Sequence, residues 1–254
     1  SLTDIEWSVG KTKITPVAHF KPVIIDGTEI SKASLHNVSI FKKFKLGVGD
    51  KITVYKANCI IPQIKENFTQ SNTCTIPSIC PHCGSPTKID CQNSSEELIC
   101  TNVNCPAKLI NHFKHFCSRN AINIEGLSEA TLQKLIDANI ISCFRDIFYL
   151  NNYYSTLIRF EGFGEKSVNK LLNSIDKSRN TTLSRFIYSL SIPLIGEMAS
   201  KQIEKYCDCN LQKFIDHITK NKDKSFLNIQ GFGTEMAQSI NNYWNQHAAT
   251  ILEL

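Results

Sequence analysis

The sequence predicts a multi-domain fold with a small β-barrel over residues 1–76, a metal-held segment over residues 77–106 and an all-α region over residues 107–254. Three observations carry this reading. Runs rich in Val, Ile and Thr, broken by turn signals, fill the first part; two cysteine pairs mark the second; a glycine-bearing turn recurs in the third. At 254 residues and 42% hydrophobic composition the chain can bury real cores, and it is longer than a usual single domain.

The barrel rests on the stretch from Ile14 to Ile64, punctuated by Asp26-Gly27 and by Gly47-Val48-Gly49-Asp50. Asp-Gly between apolar runs signals a hairpin, because a two-residue turn needs positive φ at both central positions. From Thr75 to Pro106 the apolar periodicity disappears, and Pro81, Gly84 and Pro86 stand beside the cysteines. A segment this short cannot build a core, so something else must hold it together.

Cys80-x2-Cys83 and Cys100-x4-Cys105, with 16 residues between the pairs, have the spacing with which two knuckles meet around a tetrahedral ion. Four thiolates leave no position for water, which points to structural rather than catalytic Zn2+. His82 and Cys91 are read as non-ligands, His82 because its backbone is committed to the first knuckle.

After the cysteines the apolar period becomes helical, as in residues 130–136 and 167–172. Four turns, Ile124-Glu125-Gly126-Leu127-Ser128, Phe160-Glu161-Gly162-Phe163-Gly164, Pro193-Leu194-Ile195-Gly196 and Ile229-Gln230-Gly231-Phe232-Gly233, each precede an amphipathic helix. Their last positions are spaced by 36, 32 and 37 residues, which implies four tandem helix-hairpin-helix units. Gly164 to Val168 and Gly233 to Ala237 obey the motif fully, whereas Ser128 to Leu132 and Gly196 to Ser200 obey it in part. Glycine lets the backbone turn without a Cβ and leaves amide N–H groups exposed at the next helix N-terminus, where they can take a phosphate whatever the base. Lys166 and Lys170, and Lys201 and Lys205, stand near the second and third hairpins as further contacts.

The net charge of +5 divides unevenly: ten lysines against six acids leave +4 in residues 1–76, the cysteine segment carries −2, and residues 107–254 carry +3. The basic excess in both flanks suits a polyanion without demanding one. Eleven cysteines, an odd number, without a visible signal peptide favour a reducing compartment over a disulfide scaffold. No stretch approaches the roughly 20 apolar residues that span a bilayer. Lys88-Ile89-Asp90-Cys91 approaches the Lys-x-Asp-Gly adenylation nucleophile but lacks its glycine, and neither a Walker loop nor a Gly-x-Ser-x-Gly elbow is present. No catalytic residue is assigned.

Val9-Gly10-Lys11-Thr12, Ile14-Thr15-Pro16-Val17-Ala18, Ser34-Leu35-His36-Asn37, Ile60-Ile61-Pro62-Gln63, the cysteines, Cys105-Pro106-Ala107 and the tandem hairpins occur in the order found in bacterial NAD-dependent DNA ligases. The chain resembles their C-terminal portion over essentially its whole length. The resemblance implies an OB fold for residues 1–76, with residues 1–10 a remnant of the adenylation-domain junction, a zinc ribbon, and a helix-hairpin-helix domain. It implies a piece of a longer protein, without the adenylation and BRCT domains and inactive alone, with NAD and Mg2+ used only by the full-length enzyme. Lys13 and residues 57–62 depart from the family's Val-Gly-Arg-Thr-Gly and Ala-Gly-Asp-Val-Ile-Pro, and Lys11 in place of Arg keeps charge but loses bidentate phosphate geometry.

In that family the OB fold grips the minor-groove side at the nick, the ribbon holds the flanking domains at a fixed angle and the hairpins close a ring around nicked duplex DNA. The resemblance makes Lys11, Ser34, His36, Asn37, Lys56, Ile60 and Ile61 contact candidates, alongside Gly126, Gly162, Gly164, Lys166, Gly196, Gly231 and Gly233 in the hairpins. A competing reading has His36 and Asn37 capping a turn without touching DNA. The expected partners are nicked duplex DNA and the adenylation domain of the same parent, with a monomer, no membrane, and a cytoplasmic location at the bacterial nucleoid. Two other functions are open. One is a stand-alone nucleic-acid adaptor; the other is a helix-hairpin-helix repair enzyme, for which Gly164-Glu165-Lys166 is the one local candidate.

Overall fold

A computed structural model describes residues 1–92 and 95–254. The chain divides into two compact units, Ser1–Asn111 and His112–Leu254. This division is coarser than the three domains expected from sequence, whose boundaries after residues 76 and 106 stay as our proposal.

In the first unit β1 (Leu2–Val9), β2 (Ile14–Ile25) and β3 (Thr28–Ser34) form an antiparallel meander, followed by α1 (Val38–Phe44), β4 (Ile52–Ala57) and β5 (Ile61–Asn67). Ile25 pairs with Thr28, and Asp26 and Gly27 between them sit at φ 49° and 71°, the double positive φ that this turn requires. The first half of β2 alternates buried and half-buried residues and then turns outward, so Ile14, Ala18 and Phe20 enter the core while Val23 and Ile24 face solvent. Leu2, Ala18, Phe20, Ile30, Ala33, Leu35, Phe41, Leu46 and Ile64 fill one core.

The strands make two ladders, β4 with β5 and the rest around β2, and among the described residues no ladder closes them into a continuous cylinder. Other bonds stitch the gap. The Gly49 amide donates to Leu2 O and the Leu2 amide to Asp50 O, both at 2.9 Å, which places the approach to β4 beside β1. Asp50 is buried, and its Oδ2 accepts from the Gly47 amide at 2.9 Å, Asn67 Nδ2 at 2.7 Å and the Ser71 amide at 3.4 Å. Asn67 Nδ2 also donates to the carbonyls of Phe44 and Lys45, so one amide joins the end of α1, the start of β4 and the end of β5. Gly47 has no room for a side chain, since a Cβ would lie 1.9 Å from Ser71 Oγ.

Strands β6 (Thr87–Gln92) and β7 (Ser95–Cys100) pair antiparallel, and Ile14 of β2 pairs with Leu98 of β7. Ile14, Val38 and Leu98 share a small core with the buried Cys80, Cys100 and Cys105. The acids of β7 face barrel lysines: Lys42 to Glu96 at 2.7 Å and Lys13 to Glu97 at 2.5 Å.

The division between units falls within α2 (Pro106–Cys117). The second unit continues with α3 (Glu129–Asp137), the single turns α4 (Phe144–Ile147) and α5 (Tyr154–Leu157), then α6 (Glu165–Ser178), α7 (Leu183–Ser189), α8 (Glu197–Tyr206), α9 (Leu211–Asn221) and α10 (Thr234–Leu252). Phe116 stacks on Phe144 with centroids 4.3 Å apart. A core led by Ile187, Ile195, Ile203, Phe214, Phe226, Phe232 and Ile240 joins α7 to α10. Among the described residues no helix is long and apolar enough to cross a membrane.

Candidate metal centre and nucleic-acid interface

The structure brings Cys80, Cys83, Cys100 and Cys105 together, with their sulfurs all within 4.8 Å of one another. Cys83 Sγ and Cys100 Sγ are 3.6 Å apart, close to the roughly 3.8 Å that tetrahedral Zn–S bonds of about 2.3 Å would set. The first knuckle is shaped by backbone bonds from Gly84 to Cys80 O at 3.0 Å and from Cys80 to Ser85 O at 2.7 Å, with Gly84 at φ 70°. In the second, Asn102 Oδ1 accepts the Asn104 amide at 2.9 Å, and Lys108 Nζ holds Cys100 O at 2.8 Å. Cys105 precedes Pro106, which is suited to a first helical position because it has no N–H to leave unpaired. Burial pushes the Cys100 thiol up to about 12 and raises Cys105 as well. The Ser85 hydroxyl and amide pull Cys83 down. Four converging thiols, of which Cys100 and Cys105 are held back from ionising by burial, form a ligand set that a cation completes by stabilising the thiolates together. Cys91 is exposed, and neither it nor His82 joins the cluster.

The OB candidates separate into several places. Ser34 and His36 line a depression of about 570 Å3 together with Lys43, Tyr55, Gln63 and Lys65. His36 is exposed at φ 61°, its amide donates to Ser34 Oγ at 3.1 Å, and Tyr55 Oη donates to Gln63 Oε1 at 2.8 Å. Asn37 is the N-cap of α1, where Oδ1 accepts from the Ile40 amide at 2.9 Å. The turn-capping reading therefore describes that oxygen. Lys56 pairs with Pro62 in the β4–β5 ladder, and alternation along the strand puts it on the opposite face from Tyr55. Ile60 and Ile61 are 78% and 47% exposed, side by side at the β4–β5 turn. Lys11 lies in the β1–β2 turn, where burial lowers its pKa. Sequence reasoning missed Lys43, Tyr55, Gln63 and Lys65, which become a group only when α1 and the β4–β5 pair converge.

The four hairpins share one local pattern. Leu127, Ile195 and Phe232 are buried and Phe163 is half-buried, each between two exposed turn positions. Four residues after each turn, Leu132, Val168, Ser200 and Ala237 are buried. The turning itself falls on the first glycine: Gly126, Gly162 and Gly231 have φ of 97°, 82° and 88°. Gly164, Gly196 and Gly233 are instead extended N-caps of α6, α8 and α10, with open space where a Cβ would stand. This refines the sequence reading, in which both glycines of a pair serve the turn. In the third hairpin Leu194 takes the left-handed position at φ 67° and is 58% exposed. In the first, Ser128 caps α3 through Thr131, and a Cβ on Gly126 would meet Leu171 of α6 at 3.5 Å.

Electrostatics at the hairpins cut both ways. Glu129, Glu165, Glu197 and Glu235 sit in the first turns of their helices, where they suit the helix dipole and oppose an incoming phosphate. Lys114 pairs with Glu129 at 2.6 Å and Lys170 reaches Glu125 at 3.4 Å, while Lys201, 2.7 Å from Glu197, holds the Glu197 carboxyl below its ordinary range. Lys166 is exposed on α6, one residue beyond Glu165.

Residues 1–75 match the NAD-dependent DNA ligase OB-fold domain and residues 185–252 match the helix-hairpin-helix motif. The chain is 43% identical over 253 residues to a DNA ligase of Ruminiclostridium cellulolyticum, an alignment covering 99% of this chain and 38% of that protein. It is 44% identical over 237 residues to a DNA ligase of Lachnoclostridium phytofermentans, covering 91% and 36%, and 37% identical over 251 residues to one of Thermosipho africanus, covering 96% and 36%. The chain thus spans less than two fifths of the length of these curated relatives.

Proposed function

Over the length it spans the chain belongs to the NAD-dependent DNA ligase family, and from that premise we propose that it is the part that holds nicked duplex DNA while a nucleotidyl-transfer centre outside these residues seals the break. The observation that carries the reading is the set of four exposed hairpins, each offering an apolar anchor below and helix N-terminal amides above. Such contacts go to phosphates, so the grip should be largely independent of sequence.

In this reading Cys80, Cys83, Cys100 and Cys105 hold one zinc ion. A fourfold thiolate set suits zinc, and it leaves no site for substrate, so the ion's role is to fold residues 77–106 against the barrel. Ser34 and His36, with Lys43 and Lys65 beside them, form one patch of the OB contact surface, and Lys56, Ile60 and Ile61 form a second at the β4–β5 turn. Lys11, Asn37, Gly126, Gly162, Gly164, Lys166, Gly196, Gly231 and Gly233 complete the proposed contacts. Gly126 is the weakest of these, because it packs on Leu171.

Anisotropy titrations of this chain against nicked duplexes of several unrelated sequences test the proposal. Affinities within a few-fold of one another, falling steeply with salt, are expected. Failure to bind any duplex at low salt would refute it.

A further inference from the structure

Besides the hairpin amides, the second unit carries a groove of about 680 Å3 whose lining includes Lys166, Lys170, Lys177 and Arg185, with Glu125 its one carboxylate. We propose that this groove holds one sugar–phosphate strand of duplex DNA through side chains, as a contact surface additional to the hairpins; the inference rests on the DNA-holding reading above.

The sequence of α6 builds the groove. Val168, Leu171, Ile175 and Ser178 turn one helix face into the core. Residues 166, 169, 170, 173 and 177 recur at steps of three and four, so the lysines and the carboxamides of Asn169 and Asn173 share another face. Lys166 and Lys177 are exposed and have no ion-pair partner among the described residues. Lys170 reaches Glu125 at 3.4 Å, an exposed pair weak enough to yield to a phosphate. Arg185 is fixed across the groove, its Nε donating to Ala121 O at 2.8 Å and its Nη2 to Arg119 O. Its charge is thereby placed, and it also acts on the Glu197 carboxyl, helping to hold it below its ordinary range.

The chemistry of the lining selects the ligand. Ile122 is the one large apolar side chain among the lining residues and none of them is aromatic, so the groove offers no platform for a base. Nucleotide pockets and single-strand sites rely on such platforms. Cations interleaved with carboxamide and hydroxyl groups suit a phosphodiester strand, charge to phosphate and amide to sugar oxygen. Lys166 and Lys177 are eleven residues apart on α6, about 16 Å along a helix axis, which corresponds to roughly five base-pair rises of one strand.

The test compares the full chain with K166Q/K177Q and with K220Q/K224Q, whose exposed lysines lie outside the groove, by titrating one nicked duplex at several salt concentrations. Both variants remove the same charge from the surface and leave the core untouched. The groove variant should lower the log–log salt slope by about 1.8, at roughly 0.9 per phosphate contact. It should bind at least tenfold more weakly at low salt, while the control stays within about twofold of the parent. An unchanged slope in K166Q/K177Q, or an equal loss in both variants, would overturn the groove together with the Lys166 contact and leave the grip by the hairpin amides standing, whereas a slope lower by only about 0.9 would leave Lys166 as a hairpin contact and overturn the groove. A parent chain that binds no duplex would overturn both.

Discussion

Asp50 is the polar centre of the barrel, and its replacement should be felt throughout the first unit. Three donors converge on a single oxygen, two at good distance and one long, at 2.9, 2.7 and 3.4 Å. Net hydrogen bonds to a charged acceptor contribute about 1.5 to 3 kcal/mol each, so D50A should destabilise the unit by about 3 to 5 kcal/mol and leave the Gly47 amide and Asn67 amide short of partners. D50N keeps one acceptor oxygen, loses the charge and exchanges the other oxygen for an NH2 donor, and should cost about 1 to 2 kcal/mol. Burial alone would raise the Asp50 pKa, but the bonds from Ser71, Asn67 and Gly47 outweigh it and hold the carboxyl below its ordinary range. A depressed folded-state value means that this stabilisation is complete above the ordinary carboxylate pKa of about 4 and is lost as pH falls through the folded value. The gap between parent and D50N should therefore shrink on acidification and be widest at neutral pH. The chain has 2 tryptophans, and Trp7 sits edge-on to Phe41 at 5.1 Å, so urea unfolding followed by fluorescence in a W244F background reports the barrel. D50A within about 1 kcal/mol of the parent, or a D50N gap that does not change with pH, would refute this account of the staple.

Other expectations follow from single sites. Protein purified without chelator should contain one zinc per chain, and C100S should lose the metal and unfold residues 77–106; metal analysis with circular dichroism checks both, and a metal-free yet folded chain would contradict the assignment. Among the described residues Ser225 Oγ is buried with no hydrogen-bond partner, so S225A should be neutral or stabilising by up to about 1 kcal/mol in thermal unfolding, whereas a marked loss would reveal a hidden partner. Incubation with AMP-labelled NAD should leave these 254 residues unlabelled, since they contain no Lys-x-Asp-Gly motif, and covalent label on the chain would contradict that.

What was legible in the sequence was whatever a local rule dictates. Asp26-Gly27 marked its turn because few residue pairs accept positive φ twice, and the cysteines marked their cluster because metal geometry restricts spacing. The hairpins showed through their glycines. The division of labour within each pair did not, because Gly162 and Gly164 look alike until one φ is positive and the other extended. Leu194 in a left-handed position carries no sequence signal at all. Asp50 and Asn67 are 17 residues apart, and their bond exists only once α1 and two strands have packed. The same is true of the groove, whose lining comes from the first hairpin, α6 and the start of α7. Asn37 was legible as a cap, and the depression beside it was not.

The central claim is that hairpin amides grip phosphates, and G164V/G233V tests it most directly. Both positions have extended backbone and open space for a side chain, so valine leaves the turns intact while its branches stand over the amides. The weaker capping by valine should cost about 1 kcal/mol at each helix. With zinc content and circular dichroism unchanged, the double variant should bind a nicked duplex at least tenfold more weakly than the parent and with a shallower salt slope. A folded, zinc-replete variant that binds like the parent at every salt concentration would show that the hairpins only connect helices.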